Sequence, residues 1–456
     1  MTTHAAVQPR THGLVLQPDW IVPIESPAIA KGFLVAVAGS IEFLGAELPE
    51  RFESLPRVRL ENTAILPGWV NSHCHLEFSD LVAPIPAEGP FDRWLSRVIE
   101  QRASLSTLSI EQRIEQRRNA IRQGLNESWQ HGVRWIVDNV TAPWDPSWIA
   151  EFQSRTRKTL HPLAASALVP DTIVSVQPCF ELIDVQDQRW QQTTAFAFEQ
   201  IDAPKYLGVE TPGLAPHAPY TASQRVTRHA AEWSRDHQGL ISMHLAETDE
   251  ELQWLDARSG SLGAWIGPKT DAIHRENLGT IDEHLSILGT AWRSLVIHGN
   301  YLRKDQIDFL SKHRDRMAVV YCPRTHAWFD HSEHPMLELN SRGVPVLLGT
   351  DSRASNPNLN LWEEVRHVAS SSSAMDRIAL ARRITSDASH FLQLPRSIGR
   401  LEIGAASSLT ALHWEVSDEN ATGLGDSERM LWDWMVRCGT PYPLEIDPRL
   451  DRPAAS

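Results

Sequence analysis

In the stretch PGWVNSHCHLEFSD, His73 and His75 stand either side of Cys74, with Glu77 and Asp80 close behind. With 20 histidines in 456 residues, independent placement alone gives about 0.9 His-x-His pairs, so the pair by itself decides nothing. Its weight comes from residues further along the chain. His217 in GLAPHAPYT, His244 and Glu247 in ISMHLAETDEE, His298 in SLVIHGN and Asp351 in VLLGTDS each close an apolar run. Residues i and i+2 of a strand point the same way, so both imidazoles of HCH face one side while Cys74 turns into packing. Glu247 has the opposite strand parity to His244, so its carboxylate overhangs a site at His244 only if the chain leaves the strand before it. Three neutral imidazoles (His73, His75, His244) with Asp351 as an anionic fourth ligand suit one borderline divalent ion, zinc or ferrous iron, with water at an open position.

Such a set needs strands whose ends converge. From Ile65 onward, short apolar runs alternate with amphipathic stretches such as FDRWLSRVIEQR and SIEQRIEQRRNAIRQGLNESWQHG, the signature of βα alternation. The expected strands are AILPGWVNSH, VRWIVDNV, SVQPCFELID, GLAPHAP, LISMHLAE, SLVIHGN, MAVVYCP and VPVLLGTD. Eight strands, with no Gly-x-Gly-x-x-Gly turn after an early one, predict an α/β fold of the (β/α)8 TIM-barrel type over residues 65–400, whose active site lies at the C-terminal strand ends. Before it, GLVLQ, FLVAVAG and SIEFLG read as short strands broken by Pro and Gly. After it, RLEIGAASSLTALHWE and MLWDWMVRCGT read as strands too, so segments 11–64 and 401–446 are expected to form one small discontinuous β-sandwich. Residues 1–10 and the DPRLDRPAAS end read as loose tails.

Composition narrows the function. Hydrophobic residues make up 42% and charged residues 22%, a globular balance, and the net charge of −14 disfavours nucleic-acid or anionic-membrane binding. Cysteines 74, 179, 322 and 438 form no CxxC pair and suit a reducing compartment. No secretory leader and no run approaching about 18 apolar residues is present, so a cytoplasmic protein acting on a small molecule is expected.

The segments ILPGWVNSHCHLE, APHAPYT, MHLAET, VIHG, CPRTH and GTDSRASNPNLNLWEE together resemble the amidohydrolase superfamily. The similarity is greatest to its chlorohydrolase and cytosine-deaminase-like branch, which includes S-adenosylhomocysteine and aminodeoxyfutalosine deaminases. The resemblance implies His73, His75, His244 and Asp351 as metal ligands, Glu247 as general acid/base, His298 as the residue that steers the attacking water, and His217 as a substrate contact. Two-metal relatives use a carboxylated lysine on the fourth strand, and GLAPHAPYT has none, which implies one metal. The implied reaction is hydrolytic deamination of an amino-substituted N-heterocycle, with a homodimer as the family-level expectation. Hydrolysis of a cyclic amide or a triazine C–Cl bond on the same machinery, and a silent binding protein on the same scaffold, stay open. Relatives often carry HCPxSN on the seventh strand, whereas this chain has YCPRTH, with Tyr321 in place of the first histidine. Arg324 and Arg353 are candidates for a clamp on a substrate carboxylate, and Glu77 and Trp94 for pocket positions. HLEFSDL and the later FDRWLSRVIEQR look most like the aminodeoxyfutalosine deaminases, implying an adenine-type nucleoside with an acidic appendage.

Overall fold

The computed structural model describes residues 13–104, 107–168, 172–202, 211–371, 375–415 and 428–447. Seven strands make one sheet. Five come from the N-terminal segment: β1 (Gly13–Ile21), β2 (Ile29–Ala30), β3 (Phe33–Val37), β4 (Ser40–Gly45) and β5 (Arg57–Pro67). Eight parallel strands make the second sheet: β6 (Trp69–Cys74), β7 (Val133–Val140), β8 (Ser175–Leu182), β9 (Gly213–Pro216), β10 (Leu240–Leu245), β11 (Arg293–His298), β12 (Met317–Tyr321) and β13 (Val346–Leu348). The chain then returns to the first sheet with β14 (Leu409–His413) and β15 (Thr440–Tyr442). The architecture is therefore a (β/α)8 barrel with a separate β unit that both ends of the chain build.

The barrel strands pair in chain order from β6 to β13. A parallel bridge between Cys74 and Asp351, with the Asp351 amide donating to the His73 carbonyl at 3.1 Å, joins the last strand back to the first. Strands β7, β8 and β10 are buried along their whole length, as parallel strands covered by helices must be. Outside β7 packs α2 (Ile110–Gln130), whereas α1 (Phe91–Ser104) packs on the helix Gly260–Ile266 and lines the cavity at the strand ends. Ser109 and Gln112 start α2 with a reciprocal capping box, which satisfies two otherwise orphaned amides.

The expected run AILPGWVNSH divides at Gly68. Before it, Ile65 and Leu66 pair with Ala411 and Thr410 of β14; after it, β6 enters the barrel. A side chain at Gly68 would meet the Arg134 side chain at 2.3 Å, so this crossing requires glycine. MLWDWMVRCGT, expected as a strand, is instead mostly the helix Glu428–Cys438, which buries Leu431, Trp432 and Met435. Those positions have helical spacing, which the dense tryptophans obscured. Of RLEIGAASSLTALHWE, only Leu409–His413 forms a strand. The expected loose tails lie outside the described residues except for Asp447. No helix among the described residues is long and apolar enough to cross a membrane.

One buried ion pair ties the two sheets. Arg134 of β7, 2% exposed, sits 3.1 Å from Glu445 and also donates to the Leu409 carbonyl at 2.7 Å. Replacing Glu445 by leucine leaves that guanidinium buried without a counter-charge, so stability should fall by about 3–5 kcal/mol. Urea unfolding of the Glu445→Leu variant against wild type checks this.

Candidate active site

The C-terminal ends of the barrel strands bring together all six residues that the sequence singled out for metal binding or proton transfer. His73 is fully buried, and neither of its ring nitrogens has a hydrogen-bond partner. Its Nε2 lies 3.5 Å from Asp351 Oδ1. His75 Nε2 lies 3.7 Å from the same oxygen and 3.3 Å from His244 Nε2. His73, His75 and Asp351 offer ligand atoms within 4.8 Å of one another, as do His73, His244 and His298. Cys74 between the two histidines is buried, and burial first of all pushes its thiol far up, so it is inert packing.

Neighbouring groups orient each donor. His244 Nδ1–H donates to the His217 carbonyl at 2.8 Å, which leaves Nε2 to face the centre. His75 turns Nδ1 towards Glu181, 3.8 Å away. Asp351, in the left-handed region at φ 57°, accepts from Ser355 Oγ at 2.7 Å. Asp138 takes the Leu76 amide at 2.8 Å and so fixes the turn after His75; burial raises its carboxyl to about 8.

Glu247 reaches the site because the strand ends at Leu245 and Ala246 turns left-handed at φ 52°. Its amide then donates to Glu251 at 2.7 Å and its carbonyl accepts from Asn300 at 2.9 Å. Its Oε1 lies 3.4 Å from His298 Nε2. Burial, and next the Asp351 charge, push the Glu247 carboxyl well above the usual range. Burial likewise holds His73, His75 and His298 well below the usual histidine value and His244 at about 4, so these rings are neutral with lone pairs to give. Lone pairs facing each other across 3.3 Å, beside a buried imidazole with no partner and an anionic carboxylate, fit a cation between them.

A cavity of about 330 Å³ opens beside this centre, with His217, Glu247, His298 and Asp351 among its lining residues. Trp94 is on its aromatic wall, stacked on Phe91 at 5.6 Å and backed edge-on by Phe329 at 5.0 Å. Three expected substrate contacts are placed elsewhere. Arg324 donates to Asn358 at 2.8 Å and sits 3.5 Å from Glu364, which is fully buried and needs a counter-charge. Arg353 is 3.0 Å from Glu127. Neither lines the cavity, so the expected clamp is not formed by these two arginines. Glu77 is held by Arg102 and Arg117, accepts from Thr141 Oγ1 at 2.6 Å, and lines a second cavity instead.

The cations that do line the first cavity are Arg102, Arg189 and Lys269, none of which stands out in the sequence. They lie on or beside helices, where no local pattern marks them. Glu181 was legible in principle, being a carboxylate near the end of the expected strand SVQPCFELID.

This fold and this centre define a barrel hydrolase of the imidazole–carboxylate kind. The chain belongs to the amidohydrolase family, whose profile matches residues 64–423. It is similar to the 5-methylthioadenosine/S-adenosylhomocysteine deaminase of Moorella thermoacetica, with 25% identity over 421 residues, 87% of this chain and 84% of that protein. Similarity to the Aquifex aeolicus deaminase of the same name is higher but shorter: 32% over 153 residues, spanning 34% of this chain and only 31% of that protein. Among solved structures, Helicobacter pylori aminofutalosine deaminase in complex with methylthio-coformycin superposes with a TM-score of 0.75 at 16% identity, covering 94% of this chain and 97% of that one.

Proposed function

We propose that this amidohydrolase is a hydrolytic deaminase that holds one divalent cation, zinc by the chemistry of its donors, between His73, His75, His244 and Asp351. Its substrate is an adenine-type nucleoside with an acidic appendage, of which aminodeoxyfutalosine is the leading example. The observation that carries this reading is the pair Glu247 Oε1 and His298 Nε2, 3.4 Å apart and buried at the edge of a four-donor cluster. When bound, the cation would supply Lewis acidity that brings the pKa of water down to about 7. The absence of lysine from β9 supports a single ion.

The rest is done by the chain. His298 and Asp351 flank the attacking water and aim it at the ring carbon that bears the amino group. Glu247 takes a proton from that water and passes it to the adjacent ring nitrogen, which prepares the carbon for attack. Collapse of the tetrahedral adduct expels ammonia, with Asp351 carrying the final proton. His217, whose Nδ1 is held by Thr221 Oγ1 at 2.6 Å, faces the substrate. Trp94 and Phe91 give the ring a stacking wall.

The acidic appendage is supported by Arg189 and Lys269 on the cavity lining and by the second cavity of about 440 Å³, which shares Arg102, Glu181 and Arg189 with the first. The test is ammonia release from adenine nucleosides with and without a carboxylate, alongside pterins, guanine and triazines. Turnover of the carboxylated nucleoside is expected, and Arg189→Gln should raise its KM about tenfold while sparing the neutral analogue. Release of chloride or opening of a cyclic amide, with no ammonia from any amino-heterocycle, would reassign the reaction.

A further inference from the structure

We propose that His334, braced by Tyr321, is a positioning residue for His298, an inference that rests on the reading of His298 as the group that aims the attacking water. His298 is the last residue of β11 and sits in the left-handed region at φ 69°, ahead of Gly299 at φ 63°. A histidine adopts that conformation only at a steric cost, its Cβ crowding the following carbonyl oxygen. It therefore persists only where its surroundings hold it. The left-handed turn is also what carries the ring to within 3.4 Å of Glu247.

The hold comes from outside the cluster. His334 Nε2–H donates to the His298 carbonyl at 2.9 Å; the acceptor is a carbonyl, so the proton is on that nitrogen. The His334 ring is 7% exposed and lies flat on Tyr321, with centroids 3.9 Å apart and planes 21° from parallel. Burial keeps this imidazole neutral, its pKa down at about 3, so the N–H persists as a plain donor at working pH. Tyr321 ends β12 and is itself pinned, since its carbonyl accepts from the Gly349 amide at 3.0 Å. This is the position where the sequence departs from the histidine that relatives often carry. A phenol ring there gives His334 a broad face to stack on.

The segment that bears His334 is anchored at several points. His326 Nε2 donates to the Ser332 carbonyl at 2.8 Å, and Trp328 Nε1 donates to the Ile85 carbonyl at 3.0 Å. Phe329 packs edge-on against both Phe91 and Trp94. One strut thus backs the aromatic wall of the cavity and the carbonyl of a site residue.

The test compares His334→Gln, whose amide N–H can occupy the place of Nε2–H, with His334→Leu, which has no donor. Steady-state kinetics of ammonia release and crystal structures of both variants are read together. Loss of about 10–100-fold in kcat for His334→Leu at nearly constant KM, with His334→Gln within about threefold of wild type, supports the proposal. Full kcat in His334→Leu, or an equal loss in both variants, overturns it. Should His334→Leu fail to fold, Tyr321→Leu removes the brace and keeps the donor; a kcat loss of about 3–10-fold supports the proposal and unchanged kcat overturns it. If wild type releases no ammonia from any substrate, the deaminase reading fails, and the crystal structures alone decide this inference. His298 displaced from Glu247 in His334→Leu and not in His334→Gln upholds it, and His298 unmoved in His334→Leu refutes it.

Discussion

Glu247→Gln should lower kcat for ammonia release by about 10²–10⁴-fold, the usual worth of a positioned proton carrier, while zinc content stays unchanged. The substitution keeps the shape of the side chain and removes its ability to accept a proton from water and hand it on. Glu247 lies outside the four-donor set, and its backbone is held independently by Glu251 and Asn300, so the turn at Ala246 should survive. A variant that binds zinc as wild type does and turns over at the wild-type rate would remove the proton-transfer step from the scheme. Measuring metal by elemental analysis on the same sample separates loss of chemistry from loss of the ion.

Loss of the ion itself should be at least as damaging. Chelation should reduce activity to background and added zinc should restore it, whereas His73→Ala should stay inactive at zinc concentrations that saturate wild type. Removing a neighbour that merely orients a metal ligand typically costs about 10–100-fold in affinity, so removing a ligand should cost more. The loss should also appear in stability. Zinc at 100 times its dissociation constant stabilises a folded protein by about 2.7 kcal/mol, a rise in thermal midpoint that wild type should show and His73→Ala should not. His73 is the informative choice because it is fully buried and has no competing hydrogen bond, so its ring serves no other visible purpose. An apo protein as active as the loaded one would end the metal reading.

Much of this centre could be read from the chain because strand chemistry is local. The i, i+2 rule set His73 and His75 on one side and Cys74 on the other, and the parity of Glu247 against His244 required a break that the structure supplies at Ala246. The barrel was legible in eight apolar runs with helical spacers, since each parallel strand needs a covering helix. What escaped was non-local. Whether an arginine faces substrate or a buried carboxylate depends on a partner far along the chain: Glu364 takes Arg324, Glu127 takes Arg353, and Arg189 is left facing the cavity. The helix Glu428–Cys438 was hidden for a different reason, because bulky aromatics favour strands by propensity while their spacing here is helical.

The seam where β13 meets β6 runs through the cluster itself, since the bridge joins Cys74 to Asp351 and the Asp351 amide hangs on the carbonyl of His73. The barrel is thus buttoned at the same two residues that would share an ion. An ion seated there would act as a rivet across the closure, and any loosening of the three-residue strand Val346–Leu348 would register first as drift of the donor atoms rather than as loss of the fold.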